Sequence, residues 1–283
     1  MIKIMNNKNR KLSYLGPAGT YSEEAALKYN KKSYQLVPKK TIFDVLDSVE
    51  SSQIDKGIIP IENSRVGTIL ETIDFLVESK NLYINHEILL PIEACLITKN
   101  NDTDLSNIKE IISKPEAINQ CNLWIKKNLV KDIKLTEYPS TAEAVSDLIN
   151  HDNSVAAIAN SRSAEINNCS VLVRGIQDYK NNITRFAVVS NSKSKRSGND
   201  KTSIAFEFKK SDESGLLFKA LECFAKKNIN LVKIESRPKG NLIGNYIFII
   251  DFDGHIEDKM ISETLEELSN FTSLLKVLGS YSK

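Results

Sequence analysis

From Leu12 to about Ser190, short apolar runs alternate with segments whose apolar residues recur every three or four positions. Strand-sized runs separated by amphipathic helices predict an α/β domain with a largely parallel sheet. Ser13–Leu15, Gly57–Ile61, Glu93–Thr98, Glu110–Ser113, Val155–Ala159, Val171–Val173 and Ile183–Val189 read as strands. Thr20–Asn30 reads as a helix opened by the capping box Thr20-x-x-Glu23, whose hydroxyl and carboxylate satisfy free backbone N–H groups. Ile42, Val45, Leu46 and Val49 recur at i, i+3, i+4 and i+7, which gives a helix one buried face. Ile69, Ile73 and Leu76 mark another, opened by Thr68-x-x-Glu71. Pro115 opens a helix carrying Ile118, Cys121 and Ile125, and Ser140-x-x-Glu143 caps one with Val145, Leu148 and Ile149 turned inward.

The pattern breaks at Asn191–Lys201, which holds no apolar residue and reads as a linker. It separates residues 11–190 from residues 202–281, and 283 residues suit two domains. In the second part Thr202–Phe208 is a strand, and Leu217, Ala220, Leu221, Phe224 and Ala225 mark a helix. Leu231–Glu235 and Tyr246–Phe252 are strands joined by a turn near Gly240 and Gly244. Ile261, Leu265 and Leu268 mark a second helix and Leu274–Leu278 a last strand, completing the ferredoxin-like order β-α-β-β-α-β.

Composition narrows the function classes. Lys+Arg 38 against Asp+Glu 36 leaves a net charge of +2, too little for binding driven by nucleic-acid phosphates. No apolar run approaches the ~18–20 residues of a membrane span, and Met1–Lys11 lacks the apolar core of a signal peptide, so a cytoplasmic protein is expected. Cys95, Cys121, Cys169 and Cys223 form no CxxC and lie at no metal-ligand spacing from His86, His151 or His255, so they read as reduced core thiols. No phosphate-binding or dinucleotide-binding glycine motif occurs, nor HExxH or GxSxG. Any reaction therefore relies on hydroxyls, amides, backbone N–H groups and an arginine.

Such groups gather at the strand-to-helix junctions: Gly16-Pro17-Ala18-Gly19-Thr20, Glu62 through Thr68, Pro139-Ser140-Thr141 and Asn160-Ser161. Helix starts offer unpaired N–H groups, and in open α/β sheets these junctions meet at the strands' carboxyl ends. Their convergence fits a small ligand with more than one carboxylate. The same residues also serve as helix caps alone.

Five segments then resemble, in order and spacing, the prephenate dehydratase family. They are Tyr14-Leu-Gly-Pro-Ala-Gly-Thr-Tyr-Ser22, Ile59-Pro-Ile-Glu-Asn-Ser64, Ser140-Thr-Ala-Glu-Ala144, Ile176-Gln-Asp178 and Asn182-Ile-Thr-Arg-Phe186. Lys233-Ile-Glu-Ser-Arg-Pro238 and Leu278-Gly-Ser-Tyr281 resemble the ACT regulatory domain of that family. The resemblance covers about residues 12–281. It implies a bilobed, periplasmic-binding-protein-like catalytic domain over 11–190 and a ferredoxin-like ACT domain over 202–281. The few residues before the dehydratase-like part imply a monofunctional enzyme without a fused chorismate mutase. The implied reaction is loss of water and carbon dioxide from prephenate, giving phenylpyruvate, with no metal and no cofactor.

The resemblance places Thr184 on the leaving hydroxyl and implies substrate contacts from Gly19, Thr20, Asn63, Ser64, Thr68, Ser140, Thr141, Arg185 and Phe186. Successive strand residues face opposite ways, so Arg185 serves either the substrate's carboxylate or the structure. Glu62 beside a dianion is read equally as a structural hydrogen-bond partner. Gly215, Leu216, Leu217, Glu235, Ser236, Arg237 and Pro238 are the implied site for L-phenylalanine as feedback effector, in a homodimer or dimer of dimers. Four positions depart from the family: Lys114 for a common histidine, Gly175 for a common asparagine, and, where the family usually reads Pro-Gly-Ala-Leu, Ser214 for proline and the bulkier Leu216 for alanine. Dehydration of arogenate is the neighbouring reaction, and a non-catalytic amino-acid sensor is the reading from another class.

Overall fold

In the computed structural model of the chain, residues 10–30, 32–209, 213–239 and 242–283 are described. The first part runs β1 (Lys11–Leu15), α1 (Tyr21–Asn30), β2 (Gln35–Lys39), α2 (Ile42–Glu50), β3 (Lys56–Asn63), β4 (Gly67–Thr68), α3 (Leu70–Glu78) and β5 (Tyr83–Pro91). It continues through β6 (Cys95–Thr98), β7 (Glu110–Ser113), α4 (Pro115–Gln120), α5 (Asn122–Asn128), β8 (Lys134–Glu137) and α6 (Thr141–Asp147). It closes with β9 (Val155–Ala159), α7 (Ser161–Ile166), β10 (Ser170–Arg174) and β11 (Ile183–Ser190). Then follow β12 (Asp200–Phe208), α8 (Leu216–Ala225), β13 (Leu231–Lys239), β14 (Leu242–Asp253), α9 (Lys259–Ser269) and β15 (Thr272–Ser282).

Two sheets form the α/β part. The first has the order β2-β1-β3-β11-β5 with β4 added to β3, and the second the order β10-β6-β9-β7-β8. The chain passes from one to the other between Pro91 and Cys95 and returns between Arg174 and Ile183, which gives two lobes. The sheets are mixed rather than largely parallel. Helical crossovers join β7, β8 and β9, so these pair parallel, whereas β6 and β10, by which the chain enters and leaves the sheet, pair antiparallel. The central strands are buried on both faces. Leu96, Ile111, Ala156 and Ile158 pack with α4 and α5 residues, while Cys95, Ile97, Ile112 and Ala157 pack with α6 residues on the other face.

Two capping boxes make the bonds their chemistry requires. Thr20 Oγ1 accepts from Glu23 N at 3.3 Å, and the Glu23 carboxylate accepts from Gly19 N at 2.7 Å. Ser140 Oγ accepts from Glu143 N at 3.1 Å. Thr68 pairs with Glu62 in the β3–β4 hairpin, and α3 starts two residues later, at Leu70. Ile149 is exposed rather than inward, because α6 ends at Asp147 and the chain tightens into a 3₁₀ turn over Leu148–Asn150.

The chain divides into two compact units, one of Met1–Val45, Ile58–Ile69 and Ile88–Phe186, the other of Leu46–Gly57, Leu70–Glu87 and Ala187–Lys283. In the second unit the sheet order β13-β14-β12-β15, antiparallel in its described pairings, is the ferredoxin-like arrangement. Its helices cover one core of Ile204, Phe206, Ala220, Phe224, Ile250, Phe252 and Leu268. On α8 the buried positions are Leu216, Ala220, Cys223 and Phe224, so Leu217 and Ala225 belong to the solvent side and not to the expected face. Residues 191–201 are not a free linker. Asn191 Nδ2 donates to Val49 O at 2.7 Å, Arg196 pairs with Asp258 at 2.7 Å, and Asp200 and Lys201 already belong to β12. Gly240 of the expected turn lies outside the described residues, and Gly244 falls within β14.

The same unit clasps the segment Leu70–Glu87 of its own. Lys276 Nζ donates to Val77 O at 3.0 Å and to Ser79 O, satisfying carbonyls at the end of α3, and burial pushes this lysine's pKa down. Lys201 pairs with Glu87 at 2.6 Å, and Arg237 pairs with Asp74. The Leu278-Gly-Ser-Tyr281 ending is explained by packing. The Tyr281 hydroxyl shares a hydrogen bond with Ser203 at 2.8 Å, and Gly279 touches the backbone of Ile84.

Two predictions follow from this packing. A Cβ at Gly279 would lie 2.2 Å from Ile84 O, and backbone cannot rotate aside. Gly279→Ala should therefore destabilise the protein by roughly 1–3 kcal/mol, read by chemical denaturation; an unchanged midpoint would contradict the contact. Burial also pushes the Cys95 thiol up to about 11 and the Cys121 thiol up to about 12, with nearby acidic side chains adding to the shift. Iodoacetamide at pH 8 should label both on the order of 10²-fold more slowly than a free thiol, and mass spectrometry that finds free-thiol rates would contradict their burial.

Candidate active site

The junctions of the two lobes line a cleft of about 920 Å³ that lies wholly in the first unit. From the first sheet come Leu15–Ala18, Thr20–Ser22, Pro38–Lys40, Asn63, Val66, Asn182 and Thr184; Ile92 lies on the connection out of it. From the second come Lys114, Glu116, Ala117, Gln120, Pro139–Thr141 and Glu143. A cleft of this size holds a small polar ligand with room for water. Among the described residues no three His, Cys, Asp or Glu side chains are grouped for a metal ion.

One chain of amide hydrogen bonds runs along the wall. Gln120 Oε1 accepts from Asn182 Nδ2 at 3.0 Å, and Asn182 Oδ1 accepts from Asn63 Nδ2 at 2.8 Å. The same Asn63 Nδ2 donates to Thr184 Oγ1 at 2.9 Å. Asn63 is itself fixed, because its Oδ1 accepts from Arg65 N at 3.0 Å and Val66 N at 3.2 Å, closing the turn between β3 and β4. Thr184 is 9% exposed on β11. With a lone pair occupied by Asn63, its hydroxyl keeps its hydrogen for a group in the cleft.

Of the expected substrate residues, the cleft gathers Thr20, Asn63, Ser140, Thr141 and Thr184. Five others stand off its lining. Gly19 is turned toward Ser163, where a Cβ would meet Oγ at 2.8 Å, and its φ of +87° suits only glycine. Ser64 pins strand β11, its Oγ accepting from Ile183 N at 3.0 Å and donating to Asn181 O at 3.2 Å. Thr68 sits in the hairpin. Arg185 faces away from Thr184, as strand alternation requires, and pairs with Glu62 at 3.3 Å, so both serve the structure here. Phe186 is buried in the core at 2% exposure, not a wall of the cleft.

Several lining residues were not singled out from the sequence. Gln120 ends α4 and anchors the amide chain. Tyr21 donates its hydroxyl to Glu93 O at 2.8 Å, and burial raises its pKa, so the phenol stays protonated. Lys39, Lys40 and Lys114 bring cations to a site whose expected contacts were hydroxyls, amides, backbone N–H groups and one arginine. Lys39 and Lys40 stand at the junction of β2 with α2, before the capping pair Thr41 and Asp44, and the junction logic extended there would have found them. The Ile176-Gln-Asp178 motif braces the return crossing. Gln177 Oε1 accepts from Ala94 N at 3.0 Å, and the Asp178 carboxylate accepts from Leu123 N and Trp124 N at the start of α5. Gly175 has φ +67°, a conformation that glycine and asparagine both tolerate, which explains their exchange.

A second cavity of about 420 Å³ belongs to the second unit. Gly215, Leu216 and Leu217 line it together with Phe218, Tyr246, Phe248 and Lys239. Gly215, at φ +83°, is the N-cap of α8. Glu235, Ser236, Arg237 and Pro238 do not line it. They lie on the edge strand β13, where Glu235 pairs with Lys233 at 3.2 Å and Arg237 turns to Asp74.

With this geometry in hand, the chain was compared with known proteins. A family model described as prephenate dehydratase matches residues 12–194. The chain is 39% identical over 276 residues to a bifunctional chorismate mutase/prephenate dehydratase of Aquifex aeolicus, covering 98% of this chain and 74% of that protein. It is 38% identical over 279 residues to a prephenate dehydratase of Methanocaldococcus jannaschii, covering 96% and 98%. The solved prephenate dehydratase of Arthrobacter aurescens in complex with L-Phe superposes with a TM-score of 0.86 at 31% identity, over 96% of this chain and 90% of that one. The matches span both the two-lobed part and the ferredoxin-like part, and the chain belongs to the prephenate dehydratase family.

Proposed function

We propose that the cleft catalyses the decarboxylating dehydration of prephenate to phenylpyruvate, a carbon–oxygen lyase reaction, with Thr184 as the catalytic residue. Prephenate carries two carboxylates and a ring hydroxyl. The bond to the ring carboxylate breaks and its electron pair enters the ring, while the C–O bond breaks and the hydroxyl leaves with a proton as water. Aromatisation drives both events. The protein's task is to hold the dianion, exclude water around the departing carboxylate and stabilise the leaving oxygen. The observation that carries the reading is the amide chain ending on Thr184. It leaves the Thr184 hydrogen free to be donated, and a hydrogen bond that strengthens as the C–O bond breaks lowers the barrier. Thr141 supplies a hydroxyl for a carboxylate, whereas the hydroxyls of Thr20 and Ser140 already donate to Leu15 O and to the Glu143 carboxylate.

Residues 11–190 would form the catalytic domain and residues 202–281, with β12 starting at Asp200, an ACT-type regulatory domain. L-phenylalanine suits the second cavity, where the start of α8 and the side chains of Phe208, Phe248 and Tyr246 stand beside charged Lys209, Glu213 and Lys239, and the L-Phe complex of the Arthrobacter relative supports an amino-acid effector in this family. Val232 and Ile234 are exposed on the edge strand β13, which supports pairing of this sheet with a second copy, as a homodimer or dimer of dimers. A cytoplasmic location suits such an enzyme, and no helix among the described residues is long and apolar enough to cross a membrane.

Two experiments test the reading. Thr184→Ala should lower kcat on prephenate by about 10²–10⁴ with the fold intact. Asn63→Asp should do comparable harm: the carboxylate keeps the turn's acceptor but removes the donor, so the Thr184 hydrogen is drawn to it and away from the substrate. Phenylpyruvate absorbance gives the rates and thermal melts the folding control; near-normal turnover in either variant would refute the role. Feedback, in turn, requires prephenate and phenylalanine to favour different states. Calorimetry should find phenylalanine binding weakened by a non-reactive prephenate analogue, and unchanged affinity would count against coupling.

A further inference from the structure

The charges around the cleft do not cancel. Lys114 pairs with Glu116 at 3.5 Å, and the Glu143 carboxylate accepts from Ser140 Oγ at 3.3 Å. Lys39 and Lys40 also line the cleft, yet neither side chain has an ion pair or hydrogen bond among the described residues. Their backbone is nonetheless held on both sides. Lys39 lies in register with Leu15, and its carbonyl accepts from Gly16 N at 2.8 Å. A Cβ at Gly16 would lie 2.9 Å from the Pro38 side chain, so the two junctions are in close contact. One residue beyond Lys40, Thr41 Oγ1 accepts from Asp44 N at 3.0 Å and the Asp44 carboxylate accepts from Thr41 N at 3.1 Å. Two ammonium groups thus stand on an anchored rim without partners among the described residues.

We infer that Lys39 and Lys40 are specificity-determining residues that select a dianionic 2-oxo acid over its 2-amino counterpart. The inference rests on the prephenate reading of this cleft. Prephenate and arogenate share their ring, hydroxyl and two carboxylates, and differ in a neutral carbonyl against an ammonium. A dianion is attracted by two unpaired lysines, and the added ammonium of arogenate is repelled by them. Both effects act through charge rather than fork geometry, so a lysine's point charge suffices. Across a half-solvated cleft, one such charge at several ångströms changes affinity by about tenfold, and salt weakens it. Attraction to the carboxylate that remains in the product is felt alike in ground and transition states, so it appears in KM and leaves kcat in place.

The test compares the full-length protein with Lys39→Gln, Lys40→Gln and the double variant, and with the double Lys→Arg variant. Each is assayed on prephenate, and on arogenate as substrate or as competitive inhibitor. Each single Gln variant should raise KM for prephenate by about tenfold and the double variant by about 10²-fold, with kcat within about threefold. The double variant's preference for prephenate over arogenate should fall by at least about tenfold, and the Arg pair should restore it. A preference unchanged within about twofold, or an equal loss on both compounds, would overturn the inference while the prephenate reading stands. A wild-type protein inert on prephenate would instead sink that reading, and the inference with it.

Discussion

The hydrogen bond from Asn63 to Thr184 is the constraint on which the rest of the site depends. A threonine hydroxyl donates and accepts, and left alone it rotates to whichever neighbour is nearest. Here the acceptor role is filled from one side by an amide that is itself fixed by Asn182 and by the backbone of a tight hairpin. The donor role is thereby reserved for the cleft. The three amides come from the end of a strand, the end of a helix and the residue before another strand, far apart in the chain, so the α/β fold is what brings them into line. Strand alternation then explains why Arg185, although adjacent, cannot share the task and instead stabilises the hairpin through Glu62.

The segments that bear the site are also those the fold holds most closely. The β3–β4 hairpin carries Asn63 and runs directly into α3. The far end of α3 is held by Lys276, and Asp74 within it by Arg237. These contacts assign the Lys233-to-Pro238 motif a structural part, with its arginine gripping a helix rather than lining the second cavity.

What was legible in the sequence follows from burial. Helices with one apolar stripe and central strands with continuous apolar runs were read correctly, as with Ile42 through Val49 and Val155–Ala159. The strands that escaped, β2, β5 and β8, all stand at sheet edges, apart from the two-residue β4. An edge strand carries polar residues on its exposed side, as Lys134–Glu137 does, or a proline, as Gln35–Lys39 does, and so loses its periodic signal. Gln120 was invisible for a different reason. Nothing in its local sequence distinguishes a surface side chain from one that lines a cleft.

The account turns on where the departing oxygen sits. A crystal structure with a non-reactive dicarboxylate analogue that keeps the ring hydroxyl measures this directly. The expected result places that hydroxyl within hydrogen-bond distance of Thr184 Oγ1, with Asn63 Nδ2 still bound to the same atom. An analogue seated elsewhere, or a Thr184 hydroxyl turned to donate to Asn63 instead, would contradict it.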